Sequence, residues 1–131
     1  MITRSGTLPS SRGPAESFTG EVHIQPLFDA EDAAPYTGAA VTFTAGARTA
    51  WHTHPGGQRL VVTEGVGRTQ QAGGPVEEFG PGDVIWCPPG VKHWHGAGPD
   101  GPMTHLALTN VRDGQVVQWL EHVTDAEYHA R

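Results

Sequence analysis

Cysteine and long apolar runs are nearly absent from this sequence. Cys87 stands alone, which excludes an internal disulfide and is compatible with a reducing compartment. No apolar stretch approaches the roughly 18 residues that a membrane-spanning helix needs. The opening segment MITRSGTLPSSRGPAES contains no apolar core typical of a secretory signal. We therefore expect a cytoplasmic protein with no membrane partner.

Basic charge is also scarce. Lys and Arg number 8 against 14 Asp and Glu, for a formal net charge of −6, and no basic block is present that could follow a phosphate backbone. Nucleic acid is therefore not an expected partner. Hydrophobic residues make up 37% and charged residues 17% of the 131 residues, a composition typical of one globular domain.

Helical periodicity is missing over most of the chain, whereas alternation and turn residues are frequent. In AAVTFTAGA, Val41 and Phe43 fall on one face and the two threonines on the other, which predicts a half-buried strand. RLVVTEG, DVIWCPPG and MTHLALTN predict further strands, and Asp113-Gly114 predicts a two-residue hairpin turn between NVR and QVVQW. The pattern favours six to ten short strands in an all-β sandwich or barrel.

The two ends of the chain depart from this pattern. Residues 1–20 are rich in Gly, Ser and Pro and predict an extended arm, so we expect one β domain over residues 21–131. Thr124 and Glu127 have the spacing of a capping box, which predicts a short helix in TDAEYHAR.

Histidine is the unusual residue, because five of the 8 copies lie between positions 52 and 105. Residues two apart on a strand share a face, so His52 and His54 should project together, and so should His93 and His95. Gln58 is expected on the inward face of the next strand. Three imidazole nitrogens and one amide oxygen would leave a six-coordinate divalent ion with two open positions, as in a reactive site.

Other interpretations of these histidines stay open. An isolated His-x-His pair is more often two surface or core histidines than a ligand pair. His95 would be a fifth ligand, a base beside the open positions, or a hydrogen-bonded core histidine, and we favour the base. His105, on the inward face of MTHLALT, is either a core histidine with a polar partner or a catalytic group.

The spacing around these residues resembles a known family. Gly46 to Gly65 match the first cupin motif, G-x5-H-x-H-x3-E-x6-G, with Gln58 where the family usually has Glu. Gly82 to His93 match the second motif, G-x5-P-x-G-x2-H-x3-N, with Ala97 where the family often has Asn. The resemblance implies a single-domain cupin, a small antiparallel β-barrel or jelly roll with a metal inside.

A narrower resemblance covers nearly the whole chain. ARTAWHTHPGGQ, PGVKHWHGAGP, MTHLAL and WLEHVTDAEY are similar to the bacterial manganese-dependent hydroxynitrile lyases of the cupin superfamily. That group binds its metal through three His and one Gln, which implies His52, His54, Gln58 and His93 as ligands here. Mn²⁺ is the expected ion, with Fe²⁺, Ni²⁺ or Zn²⁺ as alternatives. The resemblance also implies a homo-oligomer, a dimer or tetramer.

The resemblance implies a lyase that cleaves or forms cyanohydrins of the mandelonitrile type, so that the partner is a cyanohydrin, or an aldehyde plus cyanide. The metal would act as Lewis acid, with His95 and His105 as the catalytic acid–base candidates. Val41, Phe43 and Thr109 are predicted to shape the substrate pocket. The four tryptophans are expected in the core rather than at a ligand: Trp51, Trp86, Trp94 and Trp119.

Two other functions remain possible from the sequence. One is a dioxygenase that uses iron at the same open positions, which oxygen consumption and metal analysis would reveal. The other is a non-catalytic cupin that binds a small ligand at the metal, which a panel of cyanohydrins would distinguish from the lyase.

Overall fold

The computed structural model describes residues 1–130. Within that range the chain forms thirteen short strands and one short helix. The strands are β1 (Ser11–Arg12), β2 (Phe18–Thr19), β3 (Val22–Phe28), β4 (Tyr36–Phe43), β5 (Arg48–Thr49), β6 (His52–Thr53), β7 (Gln58–Glu64), β8 (Gly67–Gln71), β9 (Val76–Phe79), β10 (Val84–Cys87), β11 (His93–Ala97), β12 (Met103–Asn110) and β13 (Gln118–Trp119), and the helix is α1 (Asp125–Tyr128). The all-β prediction is confirmed, although several two-residue strands raise the count above the expected range.

The strands form two antiparallel sheets. The first sheet has the order β1-β3-β4-β12-β7-β10. The second is built around β11, which pairs with β5 and β6 along one edge and with β8 along the other. Strands β2, β13 and β9 extend it through β5, β6 and β8 respectively.

The main core lies between the sheets, and alternation along the strands supplies it. Val41 and Phe43 of β4 are buried together with Leu60 and Val62 of β7, whereas Thr42 is only partly buried. The predicted inward faces of these two strands are confirmed. Burial of such apolar side chains is the dominant stabilising term for a fold of this size.

The predicted arm contributes to both sheets. Strand β1 pairs with β3 and β2 pairs with β5, and Phe18 is buried in the core. The division between an arm at 1–20 and a domain at 21–131 stays a prediction, but residues 11–19 pack as part of the sandwich.

The turn at Asp113-Gly114 is as expected. Asp113 has φ 51° and Gly114 has φ 74°, and Arg112 and Gln115 form a single antiparallel bridge around them. The flanking segments do not pair beyond this bridge, because β12 is already paired with β4 and β7 on its two edges. The returning chain therefore has no free edge on β12, and β13 pairs with β6 in the second sheet.

The capping box is confirmed at the start of α1. The Thr124 hydroxyl accepts a hydrogen bond from the Glu127 backbone N–H at 3.1 Å, and the Thr124 N–H donates to Glu127 Oε1 at 2.9 Å. Arg131, at the end of the predicted helix, lies outside the described residues. Within residues 1–130, no helix is long and apolar enough to cross a membrane.

A second, smaller core lies on the outer face of β11. Trp94 packs there against Tyr128, with Trp51 and Val123. The buried Arg48 fixes this region, because its Nη2 donates to the Val123 carbonyl and to the Asp125 carboxylate, both at 2.8 Å. The segment that follows β12 is thereby held against the second sheet.

The prediction that all four tryptophans belong to the core is only half correct. Trp51 and Trp94 are buried, but Trp86 is 41% exposed and Trp119 is 39% exposed. Both residues lie on short strands at a sheet edge, β10 of the first sheet and β13 of the second.

Gly65 closes the first motif at a point where only glycine fits. Its φ is +76°, and an added Cβ would lie 2.0 Å from the Pro102 carbonyl oxygen. Gly46 opens the same motif with an equal φ of +76°, but an added Cβ would meet nothing within 4 Å. Substitution at Gly46 therefore introduces backbone strain alone, whereas substitution at Gly65 introduces the same strain together with steric overlap.

We expect Gly46→Ala to lower the free energy of unfolding by about 1–2 kcal/mol, the cost of a left-handed non-glycine residue. Gly65→Ala should lower it by at least about 1 kcal/mol more, because the new methyl group must displace backbone. Urea unfolding of both variants measures the difference. Equal losses would contradict the packing argument at Gly65.

Candidate metal and acid–base site

Two neighbouring strands of the second sheet bring the histidine clusters together. His52 of β6 is the pairing partner of His93 of β11, and His54 follows just beyond β6. The ring centroids of His52 and His93 are 4.3 Å apart, and that of His54 is 4.8 Å from His52. All three side chains are buried. Gln58, at the start of β7 in the first sheet, is also buried.

The three imidazoles of this cluster share one hydrogen-bond arrangement. The Nδ1 atoms of His52, His54 and His93 each face a backbone carbonyl, those of Ala50, Val116 and Val91, at 2.8, 2.7 and 2.9 Å. A carbonyl oxygen only accepts, so each Nδ1 must carry the proton. Each Nε2 then keeps a free lone pair, the arrangement found in metal-ligating histidines.

Gln58 is oriented in the same way by a hydroxyl group. Its Nε2 donates to Thr109 Oγ1 at 2.9 Å, which leaves Oε1 as the free acceptor. Gln58 Oε1, His54 Nε2 and His93 Nε2 are buried and have no hydrogen-bond partner in the described part of the chain. Buried polar atoms of this kind are destabilising unless a ligand satisfies them. The set of donors therefore fits a divalent cation.

His95 and His105 make a different contact. Their rings are hydrogen-bonded to each other, with His105 Nε2 and His95 Nδ1 3.2 Å apart. The outer nitrogens, His95 Nε2 and His105 Nδ1, are buried without a partner among residues 1–130. Phe43 packs against both imidazoles, with centroid distances of 6.1 and 5.3 Å. This pair can share one proton and pass it between rings.

The nitrogen atoms of His52, His93 and His95 also lie close enough to hold one ion, within 4.8 Å of one another. This group shares two residues with the predicted ligand set and contains His95 in place of His54. The hydrogen bonds favour the predicted set, because His95 Nδ1 faces another imidazole and no carbonyl fixes its tautomer.

Burial lowers the pKa of every imidazole in the site. The pKa of His93 and that of His105 fall to about 4 through loss of hydration, and that of His54 falls for the same reason. For His52 and His95 loss of hydration is again the largest cause, and neighbouring imidazoles lower the pKa further. All five are therefore neutral near pH 7, the form that binds metals and accepts protons.

A cavity of about 310 Å³ opens beside these groups. Its lining includes His52, His54, Gln58, His95 and His105, whereas His93 does not line it. The predicted pocket residues Val41, Phe43 and Thr109 all line it, although their contact with a substrate stays a prediction. Among residues 1–130, no Asp or Glu lines this cavity, so the donor set around it is uncharged. The volume is at the lower end of the range for small-molecule sites.

Comparison with known proteins agrees with this architecture. The model of the cupin domain family matches residues 39–109. The chain is 59% identical over 127 residues to an (R)-mandelonitrile lyase of Granulicella tundricola, which covers 97% of this chain and 97% of that protein. The chain belongs to the cupin family.

Solved structures give the same result. A cupin-like protein of Thermotoga maritima superposes with a TM-score of 0.85 at 39% identity, covering 98% of this chain and 94% of that one. The polyketide cyclase RemF of Streptomyces resistomycificus superposes with a TM-score of 0.71 at 21% identity, covering 98% and 91%; it shares the fold alone. The predicted cupin fold is confirmed, and the lyase relative confirms the prediction that the chain is an enzyme.

Sequence reasoning missed several residues of this cupin site. Phe18 and Trp119 line the cavity, and the Val116 carbonyl orients His54. All three lie in or beside two-residue strands or loops, where no periodicity marks an inward face. A signal was present for Trp119, because it is the first residue of WLEHVTDAEY, a segment that resembles the lyase group.

We expect His93→Ala to lose its metal, because the substitution removes one of four donors and the atom that faces the Val91 carbonyl. The exposed His122 provides a matched control, and His122→Ala should keep the ion. Elemental analysis after dialysis, with circular dichroism to verify the fold, measures the difference. Undiminished metal in a folded His93→Ala protein would show that His93 is not a ligand.

Proposed function

We propose that this cupin is a hydroxynitrile lyase that cleaves and forms aromatic cyanohydrins of the mandelonitrile type. The observation that carries the proposal is the hydrogen-bonded pair His95–His105 at 3.2 Å, placed beside an uncharged donor set in a mostly apolar cavity. The identity of 59% with an (R)-mandelonitrile lyase supports the substrate class.

The proposed metal ligands are His52, His54, Gln58 and His93. Three neutral imidazoles and one amide can hold Mn²⁺, the ion we propose, and they do not exclude Fe²⁺, Ni²⁺ or Zn²⁺. When bound, the ion would supply positive charge that stabilises negative charge developing on the substrate oxygen.

The His95–His105 pair would manage the proton. His95 Nε2, which has no partner among the described residues, takes the proton of the substrate hydroxyl. The bond between the hydroxyl-bearing carbon and the nitrile carbon then breaks, and its electron pair leaves with cyanide while the carbon becomes a carbonyl. The imidazolium returns the proton to cyanide, so hydrogen cyanide and aldehyde are released. For this step His95 Nδ1 carries the proton and donates to His105 Nε2, which leaves His95 Nε2 free to accept.

The apolar part of the cavity would hold the rest of the substrate. Val41 and Phe43 offer an apolar wall, and Phe43 also keeps water away from the two imidazoles that it contacts. Thr109 acts through Gln58, because its hydroxyl is the acceptor that orients the amide. Exclusion of water in this way strengthens electrostatic interactions inside the site.

We also propose that the protein works in the cytoplasm as a dimer or tetramer. The free, buried thiol of Cys87 is compatible with a reducing compartment, and burial raises the pKa of that thiol to about 12, so it is an inert part of the core. Cupins of this size commonly assemble as homo-oligomers, which supports the assembly.

The activity is tested with protein loaded with Mn²⁺ and racemic mandelonitrile, with release of cyanide and benzaldehyde as the readout. Cyanide release should exceed the spontaneous rate, and a chelator should remove the excess. An oxygen electrode should show no oxygen uptake with the iron-loaded protein. Oxygen uptake without cyanide release would identify a dioxygenase. If neither oxygen uptake nor cyanide release is detected, a non-catalytic ligand-binding cupin is the remaining function.

We expect His95→Ala and His105→Ala to keep the metal and to lose roughly 10²–10⁴-fold in turnover, the usual contribution of an acid–base group. His95→Ala should lose more, because His95 Nε2 would receive the proton directly. The exposed His23 of β3 gives the control, since His23→Ala removes an imidazole that does not line the cavity. Full activity in both site variants would contradict an acid–base role for histidine.

Gln58 is expected to preserve the full charge of the ion. A unit charge about 4 Å away contributes up to ~4 kcal/mol of interaction energy at an effective dielectric of 20. A carboxylate at position 58 would therefore weaken the attraction between the ion and a negatively charged substrate oxygen. Even a quarter of this energy would raise the pKa of the substrate hydroxyl by nearly one unit. Gln58→Glu should therefore hold Mn²⁺ at least as tightly in a chelator competition, yet cleave cyanohydrin more slowly at neutral pH.

The control for this substitution is Gln115→Glu, which adds the same charge at the exposed turn around Asp113-Gly114. It should leave both chelator competition and the pH–rate profile unchanged. A fully loaded Gln58→Glu protein with an unaltered profile would mean that the neutral amide is incidental.

A further inference from the structure

Trp119 has a position that the lyase mechanism does not use. It lies on β13 and pairs through its backbone with His52 of β6. Its ring lines the cavity, is 39% exposed, and packs on the His52 imidazole with centroids 4.8 Å apart and planes tilted by 44°. A large aromatic ring that is partly exposed and also lines a cavity is poorly accounted for by core packing alone.

The ring continues an aromatic wall that reaches the acid–base pair. Trp119 contacts Phe18 with centroids 5.5 Å apart, and Phe18 contacts Phe43 at 6.3 Å. Phe43 in turn lies against His105 and His95. The wall therefore runs from the outer rim of the cavity to the proposed site of proton transfer, and Val116 and Val117 line the cavity beside it.

We propose that Trp119, together with Phe18, binds the aryl group of the substrate and makes this enzyme selective for aromatic over aliphatic cyanohydrins. The proposal rests on the lyase activity for its substrate class. A substrate whose hydroxyl group lies near His52, His54 and Gln58 has the Trp119 ring beside it, because that ring covers His52. Aromatic rings at centroid distances of 4.5–7 Å attract each other beyond the effect of buried area.

The contrast with Trp86 shows why exposure alone does not assign this role. Trp86 is exposed to a similar extent, 41%, but it lies on β10 at the edge of the first sheet, and the Arg59 guanidinium covers its ring at 4.8 Å. It does not line the cavity that Trp119 shares with His52, His54 and Gln58. Trp86 is thus a natural control for loss of an exposed indole.

The test compares Trp119→Leu, Trp119→Phe and Trp86→Leu, all loaded with Mn²⁺, on mandelonitrile and on acetone cyanohydrin. Trp119→Leu should raise the KM for mandelonitrile about 3- to 10-fold and change the KM for acetone cyanohydrin less than about 2-fold. Trp119→Phe should restore most of the aromatic preference, and Trp86→Leu should behave as the parent protein. Metal content should be equal in the parent protein and the three variants. A lower metal content in the Trp119 variants would instead show that the substitution disturbs the orientation of His52.

A second measurement separates this proposal from the lyase activity itself. Benzyl alcohol, which cannot release cyanide, is titrated into each protein and its Kd is followed by NMR, with 2-propanol as the aliphatic counterpart. The Kd of benzyl alcohol should rise about 3- to 10-fold in Trp119→Leu alone.

Two results would overturn the role of Trp119. One is an unchanged Kd for benzyl alcohol in Trp119→Leu, and the other is an equal change for the aromatic and aliphatic compounds. If the parent protein releases no cyanide but its Kd for benzyl alcohol still depends on Trp119, the result contradicts the lyase function and supports the aryl-binding site.

Discussion

Three backbone carbonyl oxygens, those of Ala50, Val91 and Val116, determine what the histidines of this cupin can do. Each accepts the Nδ1 proton of one imidazole, so each ring is held in one tautomer and one orientation with its Nε2 lone pair free. Buried nitrogens without partners cost about 1–3 kcal/mol each. The tightly packed core between the sheets has to offset that cost, and it makes the rings rigid.

The pair His95–His105 differs in this one respect. His95 Nδ1 and His105 Nε2 face each other and not a backbone carbonyl. Two imidazoles that are hydrogen-bonded in this way can exchange the proton between them. Five buried histidines, all with a pKa lowered by burial, are thus divided into two kinds by their hydrogen-bond partners. Three have a fixed protonation pattern suited to a ligand, and two have an adjustable one suited to proton transfer.

The parts of this structure that sequence predicts are those with local physical causes. Alternation placed Val41 and Phe43 in the core, and the spacing of Thr124 and Glu127 gave the capping box, because each pattern acts over a few residues. The first motif was recognised by its spacing, although the constraint on its closing Gly65 is not local, because it comes from the Pro102 carbonyl in a distant part of the chain.

The rest depends on pairings between distant segments. The segment after Asp113-Gly114 cannot pair with β12, because both edges of β12 are already occupied. No local sequence pattern contains this information. The exposed positions of Trp86 and Trp119 likewise follow from which strands end up at sheet edges. A hydrogen bond between Gln58 and Thr109 joins residues that are 51 positions apart, and only the folded sheet brings them together.

The bond from His54 to the Val116 carbonyl links the donor set to the segment that runs from Val116 to Tyr128. That segment is docked by backbone bonds between Trp51 and its residues Leu120 and Glu121, and by Arg48 at its far end. If His54 holds the proposed ion, binding of the ion and docking of this segment would stabilise each other. During synthesis the imidazoles are made first, but His54 acquires its orienting partner only when residues 116–128 have joined the sandwich. The proposed ion would in this way stabilise the last segment to fold, in addition to its part in catalysis.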